Sequence, residues 1–268
     1  MERRSPLLAR LLPLFTLLLA GCEDPFQYGP WEAEVEDDHR ALNAAAINTI
    51  QQRLAADSLG YTFAVVGDPQ GYYGDTHDVL DHAERRGDLA FAVVMGDLTD
   101  QGLTKEFTWY ADLFVGRALP VVSLIGNHDH LGNGRSIYEL MFGPRNAVFQ
   151  AGGARFVLFD NVEYESEVPV DHAWLDAQLA EPFNGPTVVC MHIHPTDVQL
   201  QGAPLESLNA VMEARRPDAV FMGHGHGYDT GVFPGGTPWA TVEWLRDREY
   251  LVVQVLPDTI IHQRVPVP

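Results

Sequence analysis

Residues 89–100 read LAFAVVMGDLTD, an apolar run that ends in a glycine and then in polar side chains. The run is short and rich in β-branched and aromatic residues, a pattern typical of a strand buried on both faces. Gly96 permits a sharp turn, and Asp97 and Asp100 follow it. The stretch therefore predicts a buried strand with carboxylates at its C-terminal end.

Four other apolar runs, at 62–66, 121–125, 187–191 and 219–222, end in the same way. The polar residues that follow them are Asp68, Gln70, Asn127, His128, Asp129, His130, His192, His194, His224 and His226. A glycine turn or a lone histidine is more often structural than functional. Five clusters in phase with five strand ends instead predict one shared site, because open α/β sheets bind ligands at that edge.

The residue types in these clusters narrow the ligand to a metal. Imidazole combined with carboxylate suits Mn, Fe, Zn, Co or Ni, and the clusters contain no thiolate. The histidines disfavour an all-oxygen calcium site. The ligands are too many for one tetrahedral ion, so we expect two divalent ions that share a carboxylate.

Helical patterns alternate with the strand-like runs. We expect helices at 39–56, 75–86, 104–116, 171–179 and 205–215, a further strand at 156–159, and mostly strands over 241–265. This alternation indicates an α/β chain, and we expect its later strands to form a second sheet.

The N-terminus has the pattern of an export signal. Arg3, Arg4 and Arg10 flank a short apolar run, and 19–22 read LAGC. This ending resembles the lipobox of bacterial lipoproteins, which implies a signal at 1–21, a lipid on Cys22 and anchoring in the bacterial cell envelope. An ordinary cleaved signal or a retained signal anchor are the alternatives. The acidic stretch 22–38 is expected to be a tether, and 39–268 the domain.

Composition excludes one class of partner. The chain has 37 acidic and 17 basic residues, a formal net charge of −20, so a nucleic-acid backbone is not expected to bind. At 268 residues, 46% of them hydrophobic, it suits one domain. Cys22 and Cys190 are the two cysteines. A lipid on Cys22 would leave no intramolecular disulfide, and Cys190 is expected in the core.

The ordered motifs Asp-x-Gln, Gly-Asp-x-x-Asp, Gly-Asn-His-Asp, His and Gly-His-x-His resemble those of the calcineurin-like metallophosphoesterases. The likeness extends from about residue 61 to the end of the chain. It implies two mixed β-sheets packed face to face with helices outside, and hydrolysis of a phosphoester small molecule. In this family a hydroxide shared by two metal ions attacks phosphorus in line.

The resemblance also implies a role for each motif residue. One ion would be held by Asp68, Gln70 and His226, and the other by Asn127, His192 and His224, with Asp97 bridging them. His128 would protonate the leaving oxygen, and Asp129 would orient its imidazole. The first motif usually ends in His, so the neutral Gln70 is expected to weaken the first ion's site. His192 is favoured over His194 as the ligand.

The substrate stays open at this level. Phosphomonoesters, diesters, cyclic nucleotides and phospholipid head groups all fit the motifs. His130 and Arg135, in a glycine-rich loop, and His194 are possible substrate contacts. A non-catalytic metal- or phosphate-binding lipoprotein of the same fold is the alternative to an enzyme. The complete ligand set with His128 and Asp129 beside it weighs against that alternative.

Overall fold

Two mixed β-sheets organise residues 33–268, the part of the chain that this computed structural model describes. The strands are β1 (Tyr61–Val66), β2 (Leu89–Val94), β3 (Val121–Ser123), β4 (Ala147–Ala151), β5 (Ala154–Leu158), β6 (Thr187–Cys190), β7 (Ala219–Met222), β8 (Thr230–Val232), β9 (Pro238–Thr241), β10 (Glu249–Val255) and β11 (Ile260–Pro266). The strand order is β11-β10-β1-β2-β3 in one sheet and β4-β5-β6-β7-β9-β8 in the other.

Six α-helices accompany the sheets in this part of the chain. They are α1 (Leu42–Arg53), α2 (Tyr73–Arg86), α3 (Thr104–Asp112), α4 (Gly134–Met141), α5 (His172–Ala180) and α6 (Ala203–Arg215). Helices α2, α3 and α4 share a buried apolar cluster with the outer face of the first sheet. Helices α5 and α6 do the same on the second sheet. The predicted fold class, two face-to-face mixed sheets with helices outside, is confirmed.

Aromatic rings from β1, β2, β5 and β7 lie at the centre of the core between the sheets. Phe63 stacks on Phe91 with ring centroids 5.0 Å apart, and its edge meets Phe156 at 5.2 Å. These rings and Phe221 are buried. Large rings packed edge to face fill the space between sheets without leaving voids. Cys190 belongs to the same cluster, as expected, and burial raises the pKa of its thiol.

Strand direction brings the polar clusters to one edge. Strands β1, β2 and β3 run parallel to one another in the first sheet, and β6 and β7 run parallel in the second. Backbone hydrogen bonds continue beyond the strand ends, with Met95 N–H donating to Val66 O and Leu124 N–H to Val94 O, both at 2.9 Å. The first residues of the following loops are therefore held as firmly as the strands.

Several predicted boundaries change. Val35 is buried and Ala33 packs beside the same cluster, so the domain includes residues 33–38, which were expected to belong to the tether. The signal segment, Cys22 and the rest of the tether lie outside the described residues. Strands β4 to β9 form the second sheet, but β10 and β11 return to the first, which corrects the expectation for 241–265. Among the described residues, no helix is both long and apolar enough to span a membrane.

Candidate metal centre

Asp97 lies at the middle of the polar edge. It is buried, and its backbone adopts the left-handed conformation, with φ of 51°. One carboxylate oxygen, Oδ1, accepts a hydrogen bond from His128 N–H at 2.9 Å and lies 3.2 Å from His192 Nε2. A non-glycine residue in this region of φ is uncommon, and such positions are concentrated at functional sites. The turn directs the carboxylate toward side chains from both sheets.

Three side chains gather on one side of Asp97. Asn127 Oδ1 lies 3.0 Å from His192 Nε2 and 2.9 Å from His224 Nδ1. His192 is fully buried, and Asn127 is buried beside it. Two imidazole nitrogens therefore lie within hydrogen-bond distance of one amide oxygen, next to a carboxylate.

Three others, Asp68, Gln70 and His226, form a second group. His226 Nε2 lies 3.5 Å from Asp68 Oδ2 and 3.1 Å from Gln70 Nε2. Gln70 Oε1 is buried and has no hydrogen-bond partner. A buried, unpaired carbonyl oxygen is costly unless it has a ligand, and this is the Gln70 atom that would bind a cation. His226 is held in place by stacking on Trp244, with ring centroids 4.3 Å apart.

These side chains satisfy the geometry of a metal site. Asp97, His192 and His224 offer ligand atoms that all lie within 4.8 Å of one another, and so do Asp68, Asp97 and His226. Asp97 belongs to both groups. Imidazole and carboxylate ligands of this kind suit divalent transition metals. The residues present therefore fit the predicted cofactor.

Glycines make this close convergence possible at two points. A Cβ atom on Gly126 would overlap the Asp97 carboxylate, and one on Gly223 would overlap Oδ1 of Asp68. Any side chain at these positions would fill the cradle that the carboxylates occupy. The Gly-Asn and Gly-His pairs of the sequence are thus explained by space around the ligands.

A second set of contacts orients the candidate ligands. His192 Nδ1 donates to the Met95 carbonyl at 2.6 Å, which leaves Nε2 for the centre. His224 presents Nδ1 to the centre, and its Nε2 lies 3.5 Å from Asp197 Oδ2. Asn127 Nδ2 donates to Glu165 Oε1 at 3.1 Å, so its Oδ1 faces the histidines. Such outer partners fix tautomer and orientation at metal sites.

The electrostatics of the centre favour a cation. Burial raises the pKa of Asp68 well above its usual range. Burial opposes charge on His192, but Asp97 and Asp68 outweigh it and raise the pKa of this imidazole to about 10. Burial and the nearby His192 lower the pKa of His224 to about 4. A buried site that raises the pKa of an imidazole in this way would also stabilise a bound divalent ion.

The structure separates the roles expected for His128 and Asp129. The His128 side chain is 31% exposed, and its Nδ1 lies 2.8 Å from the carbonyl of Asp100. Asp129 is fully buried and does not reach that imidazole. It accepts hydrogen bonds from the backbone N–H groups of Leu98, Thr99 and Gly126 and from the Thr99 hydroxyl. The expectation that Asp129 orients His128 is therefore wrong, because the Asp129 carboxylate contacts groups of the loops after β2 and β3 instead.

The possible substrate contacts also take distinct positions. His130 is buried, with Nε2 3.2 Å from Asp160, which also pairs with Arg145. Arg135 lies in α4, although its surroundings were expected to form a loop. Both residues line a cleft next to Glu165. His194 lies beside His224, with ring centroids 6.1 Å apart, and its Nδ1 contacts Thr196. The position at the centre is taken by His192, which sequence analysis favoured.

Glu165, Asp197 and Trp244 are site residues that the sequence did not indicate. Glu165 and Trp244 lie in loops that contain no motif. Asp197 follows His192 in the sequence, but this spacing does not predict that Asp197 contacts the centre. The segments around these three residues show no periodic pattern. Only the folded arrangement shows that they contact Asn127, His224 and His226.

Comparisons with known proteins agree with this arrangement. A family model described as calcineurin-like phosphoesterase matches residues 61–228. A probable cyclic nucleotide phosphodiesterase of Rhodopseudomonas palustris is 29% identical over 175 residues, 55% of this chain and 61% of that protein. A 3',5'-cyclic-nucleotide phosphodiesterase of Nostoc is 28% identical over 121 residues, 43% of this chain and 45% of that protein. The matches thus span less than two thirds of either relative.

Solved structures show the same fold. A dimetal phosphatase from Danio rerio aligns with a TM-score of 0.63 at 15% identity, covering 77% of this chain and 96% of that one. A purple acid phosphatase from yellow lupin aligns with a TM-score of 0.63 at 13% identity, covering 79% and 52%.

Proposed function

Because this chain belongs to the calcineurin-like phosphoesterase family, we propose that it hydrolyses phosphodiester bonds with two divalent metal ions bound at the centre. One observation carries the proposal: two groups of candidate ligands share the Asp97 carboxylate. The names of the two curated relatives, both cyclic nucleotide phosphodiesterases, support the diester over the monoester.

The candidate ligands divide between the two ions by position. Asp68, Gln70 and His226 would hold one ion, Asn127, His192 and His224 the other, and Asp97 would contact both. When bound, such ions lower the pKa of a water and neutralise phosphoryl oxygens. The buried carboxylates of the protein then have their charge balanced, so an anionic phosphoester can approach an otherwise acidic chain.

His128 is the residue placed to move a proton. Its backbone N–H donates a hydrogen bond to the Asp97 carboxylate, and its Nδ1 donates one to the Asp100 carbonyl. This bond fixes the ring and leaves Nε2 available to protonate a leaving oxygen. The imidazole is partly exposed and lies beside the centre, a position that suits proton transfer to a bound substrate. This favours an enzyme over a binding protein of the same fold.

Turnover assays test the proposal directly. The purified chain, stripped of metal and then supplied with Mn²⁺, Zn²⁺, Co²⁺, Ni²⁺ or Fe²⁺, should hydrolyse bis(p-nitrophenyl) phosphate faster than p-nitrophenyl phosphate. Asp97→Asn should abolish the activity. Asp258→Asn, in the exposed turn between β10 and β11, removes the same charge and should leave it unchanged. Metal-independent activity, or a variant at Asp97 that retains full activity, would refute the proposal.

A further inference from the structure

A polar cleft of about 550 Å³ lies beside the metal centre, between residues 130–136 and 165–168. We call it the side cleft. It meets the centre at Glu165, whose Oε1 accepts the hydrogen bond from Asn127 Nδ2. A group attached to a phosphorus atom at the centre could therefore extend into the side cleft. The volume suits a small organic group.

Arg135 is the unusual residue of this cleft. Every other Arg or Lys among residues 33–268 forms an ion pair, a hydrogen bond or a contact with an aromatic ring. Arg135 forms none of these, although the chain has more than twice as many acidic as basic residues. Glu165 and Glu167 line the same cleft, and neither pairs with it. The guanidinium is thus a cation without a partner inside a lined cavity.

Two further polar atoms of the cleft also lack partners. His130 Nδ1 and Glu165 Oε2 are both buried without a hydrogen bond. Buried polar atoms are nearly always satisfied by protein, water or ligand. Three unsatisfied groups in one cavity indicate a site that a polar ligand completes. The guanidinium is the only full positive charge among them.

From this arrangement we propose that the side cleft binds the alcohol portion of the substrate and selects an alcohol that carries a second negative charge. This rests on the proposed function, since it places the phosphodiester at the metal centre. Arg135 would form charge-assisted, bidentate hydrogen bonds with a carboxylate or phosphate on that alcohol. Two anionic groups, one at the ions and one at Arg135, then define the substrate class.

Two ligands that differ only in this charge provide the test. They are the 2-carboxyethyl and the 2-carbamoylethyl monoesters of methylphosphonic acid, which are similar in size, the first anionic and the second neutral at the added group. Binding to the metal-loaded chain is measured by calorimetry at constant ionic strength. The wild-type chain should bind the carboxylate ligand about ten- to a hundredfold more tightly, the contribution of such a charged contact.

Arg135→Gln should remove this preference and leave binding of the carbamoyl ligand unchanged. Arg85→Gln removes the same charge on the exposed surface of α2 and should keep the preference. Equal affinities in the wild-type chain, or a preference that survives in Arg135→Gln, would overturn the proposal. Nitrophenyl diester turnover on the same samples tests the phosphodiesterase function separately, so failure of one is distinguishable from failure of the other.

Discussion

Asp129 shows how a polar residue of a catalytic motif can serve the fold. Its carboxylate receives hydrogen bonds from both the loop after β2 and the loop after β3. These loops carry Asp97 and Asn127, which are candidate ligands of the shared centre. Asp129 therefore connects the loops after β2 and β3, and so fixes the distance between the candidate ligands Asp97 and Asn127.

Replacement of Asp129 by Ala should destabilise the protein. The substitution leaves three backbone N–H groups and the Thr99 hydroxyl without their acceptor in a buried position. Each unpaired buried donor costs about 1–3 kcal/mol, so we expect the free energy of unfolding to fall by about 3 kcal/mol or more. Urea denaturation measures this. Asp258→Ala is the exposed control, and an equal, small change in both variants would contradict the assignment.

His128→Ala should retain bound metal and lose activity. General acid catalysis contributes about 10²–10⁴-fold, so kcat should fall on that scale. The loss should be larger for an alkyl diester than for a nitrophenyl diester, because the alkoxide is the more basic leaving group. Metal content and kcat are measured on the same sample.

His77→Ala, on the exposed surface of α2, is the matched control for His128. The His77 imidazole contacts carboxylates of its own helix and no candidate metal ligand, so its removal should change kcat little. Equal losses with good and poor leaving groups in His128→Ala would reject the acid role. The sequence predicted His128 from its neighbours, but adjacency along the chain could not show which group orients the ring.

At the scale of single elements, α1 protects an open sheet edge. Strand β3 ends the first sheet, and Asn43 of α1 pairs with it like a neighbouring strand. Its Oδ1 accepts from Ser123 N–H and its Nδ2 donates to Ser123 O, both at 2.8 Å. Unpaired edges invite association with other chains, and a side-chain amide satisfies this one.

Asn43→Ala should lower the free energy of unfolding by about 1–3 kcal/mol, because the buried Ser123 N–H loses its acceptor, whereas Ser123 O keeps the hydrogen bond from the Tyr138 hydroxyl. Asn48→Ala, on the exposed face of the same helix, changes helix propensity equally and should have little effect. Chemical denaturation of both variants checks this. A similar stability for the two would show that the Asn43 pairing contributes nothing.

Elements were predictable where their signal is local. The buried strands β1, β2, β6 and β7 appear as continuous apolar runs, and the sequence places them within one or two residues. Strands β8 and β9 are three and four residues long and include Gly231 and Pro238, so no periodic pattern marks them. The return of β10 to pair with β1 is a long-range event that no local pattern contains.

At the scale of the whole molecule, the formal net charge determines whether the protein surface is attracted to a membrane. After loss of residues 1–21, which contain three Arg and one Glu, the formal charge would be −22, from −20 minus +2. So acidic a chain is not attracted to anionic lipid. Lipidation of Cys22 stays a prediction. We expect this lipid alone to retain the protein at the membrane.

Mass spectrometry of the N-terminus, after expression in a bacterial host, should find an acylated Cys22. The Cys22→Ser variant should move to the soluble fraction of the cell envelope. Unchanged membrane retention of this variant would indicate a retained signal anchor instead.

Elemental analysis of the reconstituted chain tests the central claim most directly, that two ions share Asp97. The wild-type chain should contain about two equivalents of metal. Asp97→Ala should lose affinity for both ions, because this carboxylate belongs to both ligand groups. Gln70→Ala should weaken one ion and retain the other. A single equivalent in the wild-type chain, with Asp97→Ala no worse than Gln70→Ala, would contradict the account.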